Sequence, residues 1–145
     1  MADSIKSKQE IIKKENLKSI KGDSKIFSGE VRVTLLFKEE TYRPFSAGLV
    51  EFEAGVRSAW HTHPAGQSLI VTKGEIYTGT EEGITQIAKE GDTILCPPNV
   101  KHWHGAGLKQ GGSHIALTGI KDNNNVVWLE KLSDEEYERA IKEAK

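Results

Sequence analysis

The sequence predicts an all-β barrel closed by one C-terminal α-helix, and three observations carry that prediction. Apolar residues alternate with a period of two through most of residues 26–130. Glycine, proline and asparagine clusters interrupt the alternation about every eight to twelve residues, the spacing of a sandwich or barrel. Only the last stretch, 133–144, carries a helical period.

Composition narrows the class. The chain has 145 residues, the size of one domain, and 37% of them are hydrophobic. A net charge of −1 and a sequence pI near 6.5 give no basic surplus for nucleic acid or an anionic membrane. No apolar run approaches the roughly 20 residues of a membrane span. The start, Met1-Ala2-Asp3-Ser4-Ile5-Lys6, lacks the apolar core of a signal peptide. The single cysteine, Cys96, excludes an intramolecular disulfide. Together these predict a cytoplasmic protein that handles a small-molecule substrate, with no nucleic-acid and no membrane partner.

Residues 1–25 form a lysine-rich arm, with seven lysines against Asp3, Glu10, Glu15 and Asp23. It reads as a solvated, partly flexible segment. Ile11, Ile12, Leu17 and Ile20 would also allow an edge strand or a contact with a partner subunit. A single domain is expected over 26–145. Val31, Val33, Leu35 and Phe37 share one face of a first strand, and Val50 and Phe52 point inward from a second. Val56 to His63 reads as a strand after a turn at Gly55. Gln67 to Thr72 is apolar and β-branched, and Lys73-Gly74-Glu75 looks like a hairpin turn before Ile76-Tyr77-Thr78. Further strands are expected over 84–88, 93–96, 102–106, 113–120 and 126–130. Pro97-Pro98-Asn99 forces a break, because proline cannot donate to a ladder. Ser133 and Glu136 have capping-box spacing, and Tyr137, Ala140, Ile141 and Ala144 form one apolar stripe that should dock on the β body.

The chemistry lies in the histidines. All five fall between 61 and 114, and four form the pairs His61-Thr62-His63 and His102-Trp103-His104. Alternate residues of a strand share a face, so His61 and His63 point one way, about 7 Å apart along the strand. That leaves room for one cation. Pro64-Ala65-Gly66 can turn the chain so that Gln67 approaches the same point. His102 and His104 repeat the logic, while Thr62 and Trp103 face away. His104 could hydrogen-bond a water or carboxylate at the site, or face the cavity mouth without a role. His114 shares its face with the small residues Ala116 and Thr118, which suits a cavity and a general base; a hydrogen-bonded core histidine is the other reading. Cys96 reads as a small buried hydrophobe. Arg57 reads as a solvated strand-end residue.

Two motifs connect this pattern to a family. Gly55-X5-His61-X-His63-X3-Gln67-X6-Gly74 resembles the first cupin motif, with glutamine where glutamate is usual. Gly91-X5-Pro97-X-Asn99-X2-His102 resembles the second, with Asn99 for the usual glycine and Ala106 for the closing asparagine. His61 to Gln67, Lys101 to Ala106, Ser113 to Ala116 and Trp128 to Glu130 are further similar to small bacterial cupins related to carboxymuconolactone decarboxylase-associated proteins. That group includes the manganese-dependent hydroxynitrile lyases. The resemblance implies a cupin jelly-roll barrel, or double-stranded β-helix. It implies metal ligands His61, His63, Gln67 and His102, with His114 near the substrate.

Three neutral imidazoles and a neutral amide would leave a divalent charge uncancelled, which suits Lewis-acid chemistry. One divalent transition metal per chain is expected; nitrogen and oxygen ligands suit Mn, Fe, Co, Ni or Zn alike, and the resemblance is what favours manganese. The expected function is a lyase or isomerase acting at a carbonyl or hydroxyl compound, with His114 and His104 as catalytic residues. A metal-dependent dioxygenase and a non-catalytic ligand-binding cupin are the competing expectations. Large apolar barrel faces predict a homodimer or higher homo-oligomer.

Overall fold

A computed structural model describes residues 8–145; residues 1–7, with Lys6 of the arm, lie outside the described residues. Ten strands are followed by one helix. They are β1 (Ser19–Lys21), β2 (Val31–Phe37), β3 (Phe45–Phe52), β4 (His61–Thr62), β5 (Gln67–Thr80), β6 (Thr85–Lys89), β7 (Thr93–Cys96), β8 (His102–Gly105), β9 (Gly112–Gly119) and β10 (Val127–Trp128). Helix α1 covers Asp134–Glu143. The strands follow the order β1-β2-β3-β9-β5-β8-β4-β10, with β6 and β7 also paired to β5. Every pairing is antiparallel. The curled sheet is the jelly-roll half-barrel with one C-terminal helix that the sequence predicts. Among the described residues no helix is long and apolar enough to cross a membrane.

Strand β5 joins the two halves. Its first part pairs with β7 and β9, and its second with β6 and β8. The expected hairpin at Lys73-Gly74-Glu75 is therefore corrected: the 14-residue strand runs straight through it. Gly74 adopts φ +64°, and the register against β9 shifts between Val71 and Lys73. This is a bulge that bends the strand from one half to the other without reversing it. A Cβ at Gly74 would collide with the Gly111 carbonyl oxygen. Two smaller corrections follow from the same curvature. The register shift between Leu35 and Phe37 sets Phe37 opposite Ala47, off the face it was expected to share with Val31 and Val33, and Leu35 is 45% exposed. The strand expected over 56–63 shrinks to β4 plus isolated bridges at Arg57 and Ser58.

The core lies between the two halves. Val31, Phe52, Val56, Val71, Ile76 and Ala106 form its main cluster. A second cluster seats the helix. Ser133 Oγ accepts from Glu136 N at 3.1 Å and Glu136 Oε1 accepts from Ser133 N at 2.9 Å, the reciprocal cap the sequence predicts. Tyr137 packs edge-on against Trp103, with centroids 5.8 Å apart, and donates to the Ala106 carbonyl at 2.5 Å. Arg57 is not solvated. It is 7% exposed, donates to Leu132 O and Asp134 Oδ1 at 2.8 Å each, and lies 4.7 Å over the Tyr137 ring. The helix thus holds the back of β8 through Trp103, and the front of β8 carries His102 and His104.

Two glycines separate strain from collision. Gly83 has φ +88° with open space around it, so Gly83→Ala should cost about 1–2 kcal/mol, the left-handed penalty alone. Gly74→Ala meets backbone as well and should cost clearly more, with a lower urea midpoint than Gly83→Ala. Equal midpoints would contradict the bulge as described.

Candidate metal centre

Strands β4 and β8 build the site. They pair with His61 opposite His102, so the two His-X-His segments lie side by side. Ring centroids are 4.3 Å apart for His61–His102, 4.9 Å for His61–His63 and 5.0 Å for His61–His104. His63 and His102 are 5.3 Å apart. All four rings, and Gln67 at the start of β5, are buried. One candidate nitrogen each from His61, His102 and His104 lies within 4.8 Å of the others, close enough to share a cation. His104 therefore stands inside the cluster, not at the cavity mouth. The resemblance offered His63 and Gln67 beside His61 and His102, and both lie next to this trio.

The tautomers follow from the partners. His61 Nδ1 donates to Ala59 O at 2.8 Å, His63 Nδ1 to Asn125 O at 2.7 Å and His102 Nδ1 to Val100 O at 2.9 Å. A carbonyl only accepts, so each Nδ1 carries the proton and each Nε2 keeps a lone pair. Nε2 of His63 and His102 is buried without a partner, and so is Oε1 of Gln67. Gln67 Nε2 donates to Thr118 Oγ1 at 3.0 Å, which aims that oxygen away from Thr118. Buried acceptors left open in one place are costly unless something binds there. Nitrogen and oxygen donors of this kind fit a divalent transition metal.

Burial keeps the imidazoles neutral. Loss of hydration is the largest cause in each case, and the neighbouring rings add to it for His61 and His104. His61 and His104 fall well below the usual histidine range, His63 is lowered, and His102 falls to about 4. Cys96 Sγ lies 3.2 Å from His102 Nδ1, and burial raises its thiol to about 11, so it stays protonated beside the ring. It is half-buried rather than fully buried. Among the described residues no Asp or Glu is buried.

His114 sits on β9, fully buried, with its pKa lowered to about 3 by loss of hydration. Its Nε2 is 3.3 Å from His104 Nδ1, and its Nδ1 has no partner. One of the paired nitrogens carries the proton and the other accepts it. Phe52 closes over this pair, 6.1 Å from His104 and 5.7 Å from His114 by centroid.

Two contributors escape the sequence reading. Thr118 is opposite Gln67 across β5 and β9, and its signal was only its place on the face of His114. Trp128 is opposite His61 across β4 and β10, with its ring centroid 4.6 Å from the imidazole. The sequence marks it only as the start of the Trp128 to Glu130 stretch of the family resemblance, with nothing that sets it against His61.

Comparisons with known proteins agree with the geometry. Residues 48–108 match the cupin domain family. The chain is 40% identical over 119 residues to an (R)-mandelonitrile lyase of Granulicella tundricola, covering 82% of this chain and 91% of that one. A cupin-like protein of Thermotoga maritima superposes with a TM-score of 0.79 at 35% identity, over 91% of this chain and 97% of that one. A polyketide cyclase of Streptomyces resistomycificus shares the fold at 15% identity, with a TM-score of 0.65, over 95% of this chain and all of that one.

The lowered histidines set a pH dependence for the metal-free protein. His102 and His114 take up protons at about 4 and about 3 when folded, against 6.5 as the model-peptide value. As pH falls below 6.5 the unfolded chain binds protons that the folded chain refuses, so stability falls with pH. The loss should continue until the folded values are reached. Urea midpoints of metal-free protein should drop between pH 7 and pH 4, and His114→Gln should flatten the drop. A midpoint independent of pH in both proteins would contradict the neutral, buried assignment.

Proposed function

The chain belongs to the cupin family, and from that premise we propose that it is a metal-dependent lyase that cleaves a small cyanohydrin-like substrate. His61, His63, Gln67 and His102 would hold one divalent cation, manganese in preference to Fe, Zn, Ni or Co. The observation that carries the reading is the donor set: neutral imidazoles and a neutral amide, with no carboxylate buried among the described residues. A cation bound there would supply Lewis acidity toward a substrate oxygen, since no protein charge cancels its own. The 40% identical (R)-mandelonitrile lyase supports the choice of reaction.

The chain's own residues account for the proton. His114 is neutral, buried and has Nδ1 free of a partner, so it can accept the substrate hydroxyl proton once His114 Nε2 donates to His104 Nδ1. The O–H electron pair becomes the carbonyl π bond, and the C–C bond breaks with its pair on cyanide. His114 returns the proton to cyanide, leaving a carbonyl compound and hydrogen cyanide. Phe52 excludes water from the two imidazoles while the proton is held. The Thr118 hydroxyl fixes the Gln67 amide, so that its oxygen and not its nitrogen faces the cluster.

Elemental analysis and cyanide release from mandelonitrile test this together. Manganese-loaded protein should release cyanide, and His61→Ala should lose both metal and activity. His114→Ala should keep its metal and lose about 100-fold or more in rate, the scale of general acid–base catalysis. Gln67→Glu should also keep metal and turn over more slowly, because the carboxylate cancels one charge. Cyanide release no faster than that of His61→Ala would overturn the lyase reading.

A further inference from the structure

We propose that the histidine cluster holds a second seat for a divalent cation, formed by His61, His102 and His104, and that filling it excludes the seat formed with His63 and Gln67. The register separates the two. His61 stands opposite His102 in the antiparallel pairing of β4 and β8. His63 comes two residues after His61, and His104 two residues after His102. The strands run in opposite directions, so those steps lead to opposite sides of the His61–His102 pair, each about 7 Å along the strand. Backbone bonds continue the pairing both ways. Asn99 N donates to His63 O at 3.0 Å on one side, and Ser58 N to His104 O at 2.9 Å on the other.

The rings agree with the register. His61 lies 4.9 Å from His63 and 5.0 Å from His104 by centroid. His102 lies 5.3 Å from His63 and 5.6 Å from His104. His61 and His102 are therefore common to both seats, and a cation between them leans toward one end or the other. The first seat adds His63 and the Gln67 oxygen, a mixed set that leaves a six-coordinate ion two further positions. The second adds His104 alone. One nitrogen from each of its three imidazoles lies within 4.8 Å of the others. Three imidazoles and one remaining position are the set that four-coordinate zinc takes. His104 is buried, and Phe52 lies edge-on to its ring.

His104 is placed to switch roles. Its Nε2 is buried without a partner, and its Nδ1 faces His114 Nε2 at 3.3 Å. When His104 Nδ1 donates to His114 Nε2, His104 Nε2 keeps its lone pair and is a ligand. His114 then carries its proton on Nδ1 and has no lone pair to offer there. When His114 Nε2 donates instead, His104 carries its proton on Nε2 and is no ligand, while His114 Nδ1 can accept. A filled second seat and an accepting His114 therefore exclude each other. That this silences the base rests on the lyase reading; the seat itself does not.

Zinc and manganese titrations of metal-free protein, with bound metal measured by elemental analysis, test the seat without turnover. His63→Ala breaks the first seat alone. It should weaken manganese at least about tenfold and still bind one zinc per chain. His63→Ala with His104→Ala should bind zinc about 100-fold more weakly than His63→Ala does. Zinc already lost in His63→Ala overturns the proposal, and so does zinc held equally well by the double variant. Circular dichroism checks the folding of each. If the double variant unfolds, cobalt-loaded His63→Ala decides: intense visible bands of a four-coordinate ion support the seat, and the weak bands of a six-coordinate ion overturn it. No arm measures cyanide, so failure of the seat and failure of the lyase reading are told apart.

Discussion

The site depends on three backbone carbonyls. Ala59, Val100 and Asn125 each accept a hydrogen bond from a histidine Nδ1, and that single constraint sets both tautomer and aim. Without it, a neutral imidazole could carry its proton on either nitrogen, and a proton on Nε2 would repel a cation. With it, lone pairs converge in a space the chain itself leaves unsatisfied. Two of these carbonyls lie two residues before the histidine they orient, so the same short segment supplies the imidazole and its orienting group. The third comes from the turn after β9, 62 residues away, and ties that turn to the centre.

The fold supports the arrangement from behind. Trp103 stands between two site histidines and points the opposite way, against Tyr137. Tyr137 is held by the Ala106 carbonyl and by the Arg57 guanidinium. Arg57 in turn binds the start of the helix through Leu132 and Asp134. The helix is therefore a clamp on β8 rather than an appendage. On the other flank, Trp128 lies over His61, and Phe52 over His104 and His114. Aromatic walls on both sides explain why five imidazoles lose enough hydration to remain neutral.

What the sequence made legible was local. The His-X-His pairs need only a period of two, and the capping box only a spacing of three, so both could be read directly. The Gly74 bulge could not, because glycine after lysine serves a hairpin and a bend equally well. Only the approach of Gly111, 37 residues on, selects the bend. Arg57 looked solvated because its partners begin 75 residues later. Thr118 was visible as a neighbour of His114, but its bond to Gln67 depends on the β5–β9 register. The orienting carbonyls were invisible for a plainer reason: every residue has one, and only the fold chooses which are used.

The character of the centre follows from what the interior excludes. The chain has 21 acidic residues, and among those described none is buried. A carboxylate beside the imidazoles would raise their proton affinity and would bind a cation more tightly, since opposite charges attract strongly at low dielectric. It would also spend the cation's field inside the protein. As a ligand in the proposed site, Gln67 would keep the geometry of a side-chain oxygen donor and remove the charge. Weaker retention of a cation would be offset by three pre-aimed imidazoles, which would need no reorganisation to bind it. The field is then left for whatever enters next, and an entering group that carries or develops negative charge gains most from it. A neutral donor set therefore selects for oxyanion chemistry by electrostatics alone, before any contact with the rest of a substrate is considered.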